Sequence, residues 1–348
     1  MNRQLPIEQS KDTVPPSINL GEHWPFNVDA NEVEQLGLAT PKNNYNGFLP
    51  DLNKTLGLKP NGSHFHLSLN QFFGLAVIKA FSEHESTLER SKSWMLPALT
   101  SELKSKKISD EIEEFYCDES AHSLMFEQFI VGFCDSSKTD HSILKKYLPS
   151  FPESSLATRI LKFNALLGGS AAWWLVMHTE EESLKIYKMI KNTDSKIDES
   201  YLTLHKKHYE EEVTHMSVAP RIIRYIASNK SILSRIGRST DFLAMLISQT
   251  LWVLQQCGRF NSIQSYQGTD QFMINVRKAW EESSGGNPIE NFLAKTRLMF
   301  LALLFTSPLN SRSIRAEIKK NRPIFGSLSL KLYEFLSNRI YKNEGSAI

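Results

Sequence analysis

From Leu67 onward, apolar residues recur at three- and four-residue steps, and alternating period-two runs are scarce. This pattern predicts helices over about 67–92, 109–133, 154–192, 198–227, 238–257, 268–283, 289–306 and 324–341. Asp110 with Glu113 reads as a capping box opening the second helix. Gly168–Gly169 reads as a kink or break in the third. Ser283–Gly286, Pro308 and Gly326 punctuate the C-terminal part. Residues 1–64 are different: rich in Pro, Asn and Gly, with one short helix signal around Asn31–Leu38. They are expected to form an extended arm laid on the body. The expectation is therefore an all-α chain. It has an arm over 1–64 and one helical domain over 65–348, with extra helices beyond a four-helix core at 67–227.

Two of these helices break the usual rule for a buried face. In the second, Ile112, Phe115, Glu119, His122, Phe126 and Phe129 step by three and four. In the fourth, Tyr201, His205, His208, Glu212, His215, Ala219 and Ile222 do the same. Each stripe carries an ExxH, Glu119-x-x-His122 and Glu212-x-x-His215, whose two side chains lie on one helix face. Two ExxH pairs alone are little more than chance supplies; their position at the centre of core stripes is the signal. An ionised carboxylate in a helical core costs several kcal/mol unless it is paired. No Lys or Arg lies on these central turns. Metal ions are the economical partners.

Helical bundles that hold two metals take one Glu from each of two helices and an ExxH from each of two others. Four carboxylates then balance two divalent ions. The first helix offers Glu83, Glu85 and Glu89. Glu85 shares its face with Ile78, Phe81 and Leu88, whereas Glu83 shares its face with Lys79 and Arg90, so Glu85 is the expected ligand. The third helix offers Glu180, Glu181 and Glu182, and periodicity leans to Glu180. His208 stands one turn before Glu212 and adds a third nitrogen. Glu210 and Glu211 fall off the stripe, toward solvent. Imidazole and carboxylate donors without thiolate select iron or manganese.

The order Glu, DExxH, Glu, HxxxExxH on a helical bundle of this size resembles the ferritin-like di-iron N-oxygenases of the p-aminobenzoate N-oxygenase type. His208-x-x-x-Glu212-x-x-His215 carries most of the likeness, which covers about residues 67–227. The resemblance implies a ferritin-like bundle with two iron ions. Glu85, Glu119 and His122 would hold one; His208, Glu212, His215 and a third-helix Glu would hold the other. Family spacing places that Glu a little under thirty residues before the first His. It therefore favours Glu181, against the periodicity. The implied reaction consumes O2 and electrons from an external reductase or reductant. Through a peroxo di-ferric species it oxidises a small amine to a hydroxylamine or nitro product, in specialised biosynthesis. Trp173, Arg221 and Arg224 are the candidate substrate contacts, the arginines for a substrate carboxylate.

Composition changes this picture little. The 348 residues are 41% hydrophobic and 22% charged, values of an ordinary globular chain. Forty basic against 38 acidic residues leave +2, no global field to hold nucleic acid or an anionic membrane. Cys117, Cys134 and Cys257 make neither a disulfide framework nor a CxxC site. The N-terminal residues lack the apolar core of a signal peptide. Phe242–Leu254 and Met299–Phe305, the most apolar windows, are too short to span a bilayer. These features point to a cytoplasmic, reduced protein, and apolar faces on the C-terminal helices leave room for a homodimer. The ligands do not choose the substrate, so a di-iron C–H hydroxylase or desaturase has the same signature. An iron-storage bundle or a metal-free structural scaffold is the reading from another class.

Overall fold

A computed structural model describes residues 46–50, 65–96, 106–194, 197–228, 234–284, 306–321 and 326–331, with isolated positions between 292 and 299. The described residues are helical, with no strand and only an isolated bridge between Gly47 and Ile197. Among the described residues, ten α-helices have full bounds: α1 Phe65–Met95, α2 Lys106–Ser137, α3 His141–Tyr147, α4 Leu156–Leu166, α5 Ala171–Lys191, α6 Glu199–His215, α7 Val218–Ser228, α8 Ser234–Asn261, α9 Gln271–Ser284 and α10 Arg312–Asn321. No helix among the described residues is long and apolar enough to cross a membrane.

The helix pattern holds with local corrections. Helix α2 begins at Lys106, so Asp110 lies inside it and Asp110 with Glu113 is not its cap. Glu113 instead pairs with Lys92 of α1. The third predicted helix divides into α4 and α5 at the two glycines. Gly168 takes a φ of +72°, which L side chains rarely adopt. A Cβ on Gly169 would sit 2.3 Å from the Asn164 side chain. That side chain accepts from the Ala171 amide and donates to Asp241, tying the break to α8. The fourth predicted helix divides after His215. Pro220 has no N–H to give the preceding turn, and its ring fits the first turn of α7. Helices α3 and α10 carry too few residues to show periodicity. The predicted helix at 289–306 and most of that at 324–341 lie outside the described residues, as does the arm apart from residues 46–50.

That short piece of the arm is anchored. Asn70 Oδ1 accepts from the amides of Phe48 and Leu49, and its Nδ2 donates to the Leu49 carbonyl. Phe48 stacks on Tyr201 with ring centres 4.7 Å apart. Gly74 permits the approach, since a Cβ there would lie 2.3 Å from Phe48 Cβ.

Helices α1, α2, α5 and α6 enclose the predicted site. Two apolar clusters lie along them. One joins Leu88, Phe115, Trp173 and Ile222, and the other joins Phe72, Phe81, Phe126 and Tyr201. Where they meet, the stripes of α2 and α6 supply Glu and His instead of carbon. The N-terminal half of α5 is buried all round, from Ala171 to His178, as expected of a central helix.

Candidate metal centre

Glu85, Glu119, His122, His208, Glu212 and His215 are all buried and come together in one layer. They form two groups whose ligand atoms lie within 4.8 Å of one another. One is Glu85, His122, His208 and Glu212; the other is Glu119, His122, Glu212 and His215. Each group could hold a metal ion. The grouping differs from the expected division of ligands: His208 lies with Glu85 and Glu119 lies with His215. Helical spacing explains this. Glu212 is four residues after His208 and three before His215, so it stands midway and serves both groups.

Close approaches hold the layer together. His208 Nε2 is 3.0 Å from Glu85 and 2.9 Å from Glu212. His122 Nδ1 is 3.1 Å from Glu212, and His215 Nδ1 is 3.2 Å from Glu119 and 3.5 Å from Glu212. Yet the inward-facing atoms are not satisfied by hydrogen bonds. Glu85 Oε2 and Glu180 Oε2 are buried with no hydrogen bond, and Glu119 Oε1, His122 Nδ1, His208 Nε2, Glu212 Oε2 and His215 Nδ1 are buried with only the ion-pair contacts just given, none of them a well-formed hydrogen bond. Such orphans are rare, and each costs about 1–3 kcal/mol. Glu85, Glu119, Glu180, His208 and Glu212 line one small space. Four carboxylate oxygens and three imidazole nitrogens facing one another fit a pair of divalent cations in charge and in donor type.

The outward nitrogens are satisfied, and reciprocally. His122 Nε2 of α2 is 2.6 Å from Glu211 of α6, and His215 Nε2 of α6 is 3.1 Å from Asp118 of α2. The acid before each ExxH glutamate thus holds the histidine of the facing helix, which fixes the ring with Nδ1 inward. The expectation that Glu211 faces only solvent is corrected. It is half-exposed, but its carboxylate reaches over the layer to His122. Asp118 is the acid of the DExxH motif, for which the sequence alone suggests no role.

Protons follow this geometry. Burial opposes a charge on His122, yet Glu211 and Glu212 override it and lift the imidazole to about 10. His215 is likewise opposed by burial and lifted by Glu119 and Glu212 to about 11. Burial raises Glu119 to about 7 and Glu85 well above the carboxylate range. Burial holds His208 well below its usual value, with the neighbouring histidines adding to the effect. In the metal-free protein, protons on the histidines offset the carboxylates.

Glu181 is not in this layer, which corrects the expectation drawn from family spacing. Its carboxylate accepts from Ser311 Oγ at 2.7 Å, the Arg312 amide at 2.6 Å and the Ser313 amide at 2.8 Å. It therefore caps the N-terminus of α10. Glu180, one residue earlier, faces the layer from α5. Burial pushes the Glu181 carboxyl up, but the Ser313 and Arg312 amides, the Ser311 hydroxyl and Lys185 hold it at about 2. A carboxyl so depressed stabilises the fold above its unfolded value of about 4.5 and loses that contribution as pH falls toward 2. Glu181→Gln is expected to cost about 2 kcal/mol at pH 7. Denaturant titration should show the gap from wild type closing between pH 4.5 and 2, and metal content should not change. Loss of a metal would restore Glu181 as a ligand.

The other candidates separate cleanly. Glu83 pairs with Lys79 and accepts from the Phe151 amide, away from the layer. Arg221 pairs with Glu111 at 2.7 Å, and Arg224 pairs with Glu317 of α10. Both arginines are exposed at their ends and tie α7 to its neighbours, so their candidacy as substrate contacts is corrected. Trp173 is fully buried against Phe115 and Tyr116, one ring removed from His215, and packs as core. His205 continues the α6 stripe but belongs to neither group; burial holds it near 3, so it is neutral.

Comparison of the chain with models of known families, with curated proteins and with solved structures finds no match in any of the three.

Proposed function

We propose that the chain is a ferritin-like, dinuclear non-haem iron oxygenase that N-oxygenates a small amine, an arylamine by preference. The observation that supports it best is the set of seven buried donor atoms, none with a well-formed hydrogen bond, facing one another across α1, α2, α5 and α6. Four are carboxylate and three imidazole, a donor set that suits iron or manganese. The third histidine, His208, supports the N-oxygenase over other di-iron enzymes through the resemblance of His208-x-x-x-Glu212-x-x-His215.

Glu85, Glu119, Glu180 and Glu212 would supply the carboxylates, and His122, His208 and His215 the nitrogens. When bound, an iron pair supplies the electrons that activate O2. The protein's share is orientation and exclusion of water. Asp118 and Glu211 keep the two ExxH rings turned inward. Phe126, 4.8 Å from His208, and Phe115, 5.2 Å from His215, cover the layer with hydrocarbon. The balance is amine, O2, two electrons and two protons in, hydroxylamine and water out. The electrons come from an external reductant.

The test is anaerobic loading with Fe(II), then O2 in the presence of a panel of small amines and of matched compounds without the amine. The expected result is two iron ions per chain and N-oxidised product from at least one amine. Oxidation at carbon alone would move the protein to the hydroxylases and desaturases. Iron uptake with no organic product would move it to iron storage. No bound iron or manganese would leave a structural bundle.

A further inference from the structure

A second internal space lies between α1, α4 and α5, bounded by Leu88, Phe151, Leu161, Leu175 and His84. The room in it for the centre of a water-sized sphere is about 20 Å³. One water-sized molecule needs roughly 10–15 Å³ on that measure. The space therefore takes a molecule of one or two heavy atoms and is too small for an aromatic ring. Its wall is chiefly hydrocarbon. The two threonine hydroxyls in the wall are already committed within the protein. Thr87 donates to the Phe151 carbonyl and accepts from Arg90, and Thr158 donates to the Pro152 carbonyl. His84, Ser91 and Trp94 are the other polar side chains of the lining, set among six apolar side chains, and a buried water needs two to four polar partners, so this space favours a small apolar molecule.

The position of His84 gives the space a destination. The same imidazole also lines the tight space in which Glu85, Glu119, Glu180, His208 and Glu212 face one another. One ring separates the apolar cavity from the metal layer. Its Nε2 is buried without a partner, so no hydrogen bond from that atom resists rotation of the ring. We propose that the cavity between α1, α4 and α5 is the site where O2 collects before passing His84 into the metal layer. The inference rests on the oxygenase reading for its ligand. The cavity and its gate stand on geometry alone.

Xenon, an apolar probe of similar size, tests the cavity without metal or turnover. Crystals pressurised with xenon are expected to hold it between Leu88, Leu161 and Leu175, and Leu161→Phe should remove it. In iron-loaded protein, Leu161→Phe should slow the reaction with O2 by at least about tenfold at unchanged iron content. Absence of xenon from the wild-type cavity overturns the proposal, as does a wild-type O2 rate in Leu161→Phe. Xenon bound in a protein whose iron-loaded form consumes no O2 upholds the gas site and overturns the oxygenase reading instead.

Discussion

Glu212→Gln is expected to lower metal content from two ions per chain to fewer than one. Glu212 and His122 are the residues common to both close groups, and Glu212 sits midway along the α6 stripe. Its carboxylate lies within 3.5 Å of nitrogens on His122, His208 and His215. Removing it takes an anionic donor from each ion, where loss of even an outer hydrogen-bond partner costs about 10–100-fold in affinity. The expected loss is thus well over a hundredfold at both positions. Glu85→Gln touches one group only and should leave one ion in place. Without metal, Glu212 also neutralises the protonated His122 and His215. Glu212→Ala should therefore cost the apo fold about 3–5 kcal/mol. The isosteric glutamine separates lost ligation from lost folding, provided circular dichroism matches wild type. Elemental analysis after anaerobic titration with Fe(II) or Mn(II) reads the result. Two ions retained by Glu212→Gln would remove α6 from the site.

The centre of this site was legible because a core stripe is a strong constraint. Positions three and four apart on one face must be apolar or fully satisfied, so Glu119, His122, Glu212 and His215 stood out as violations. Glu85 was found by the same rule, from its company of Ile78, Phe81 and Leu88. The rule failed on α5 because the start of that helix is buried on every side. With Trp173, Trp174, Met177 and His178 all inside, no exposed face defines the inward direction. Periodicity still leaned to Glu180, the residue that faces the layer; spacing borrowed from a family chose its neighbour. The true partner of Glu181 is the start of a helix 131 residues away, and no local pattern announces a cap of that range. The outer carboxylates had a signal that went unused: each ExxH glutamate follows an acid, Asp118 before Glu119 and Glu211 before Glu212. Off-stripe position made Glu211 look solvated, but a side chain of that length at the edge of a stripe reaches across to the facing helix.

Metal loading should raise the stability of the fold by several kcal/mol and release protons as it does so. A ligand that binds only the folded state contributes about 4 kcal/mol at a thousandfold excess over its Kd, so two ions contribute about 8 kcal/mol. At roughly 2–4 °C per kcal/mol for a large domain, Tm should rise by about 15–30 °C and fall back on chelation. The proton count follows from the buried histidines. With His122 near 10 and His215 near 11 in the metal-free protein, both carry a proton at pH 7. Each must give up the Nδ1 proton to become a ligand, and burial also holds protons on Glu85 and Glu119, so loading both ions releases at least two protons. Two consequences of opposite sign follow. For the metal-free fold, a raised imidazole contributes stability fully present below its unfolded value of about 6.5. That contribution is lost as pH rises through 10. For metal binding the protons are competitors, so affinity strengthens with pH, by about a hundredfold per unit for the pair while both histidines stay protonated. The stabilisation on loading should therefore shrink from pH 8 to pH 6, while the metal-free Tm does not follow it down. Calorimetric titration in buffers of different ionisation enthalpy reads the protons directly. A binding heat independent of buffer would mean that His122 and His215 are not the nitrogens that meet the metal.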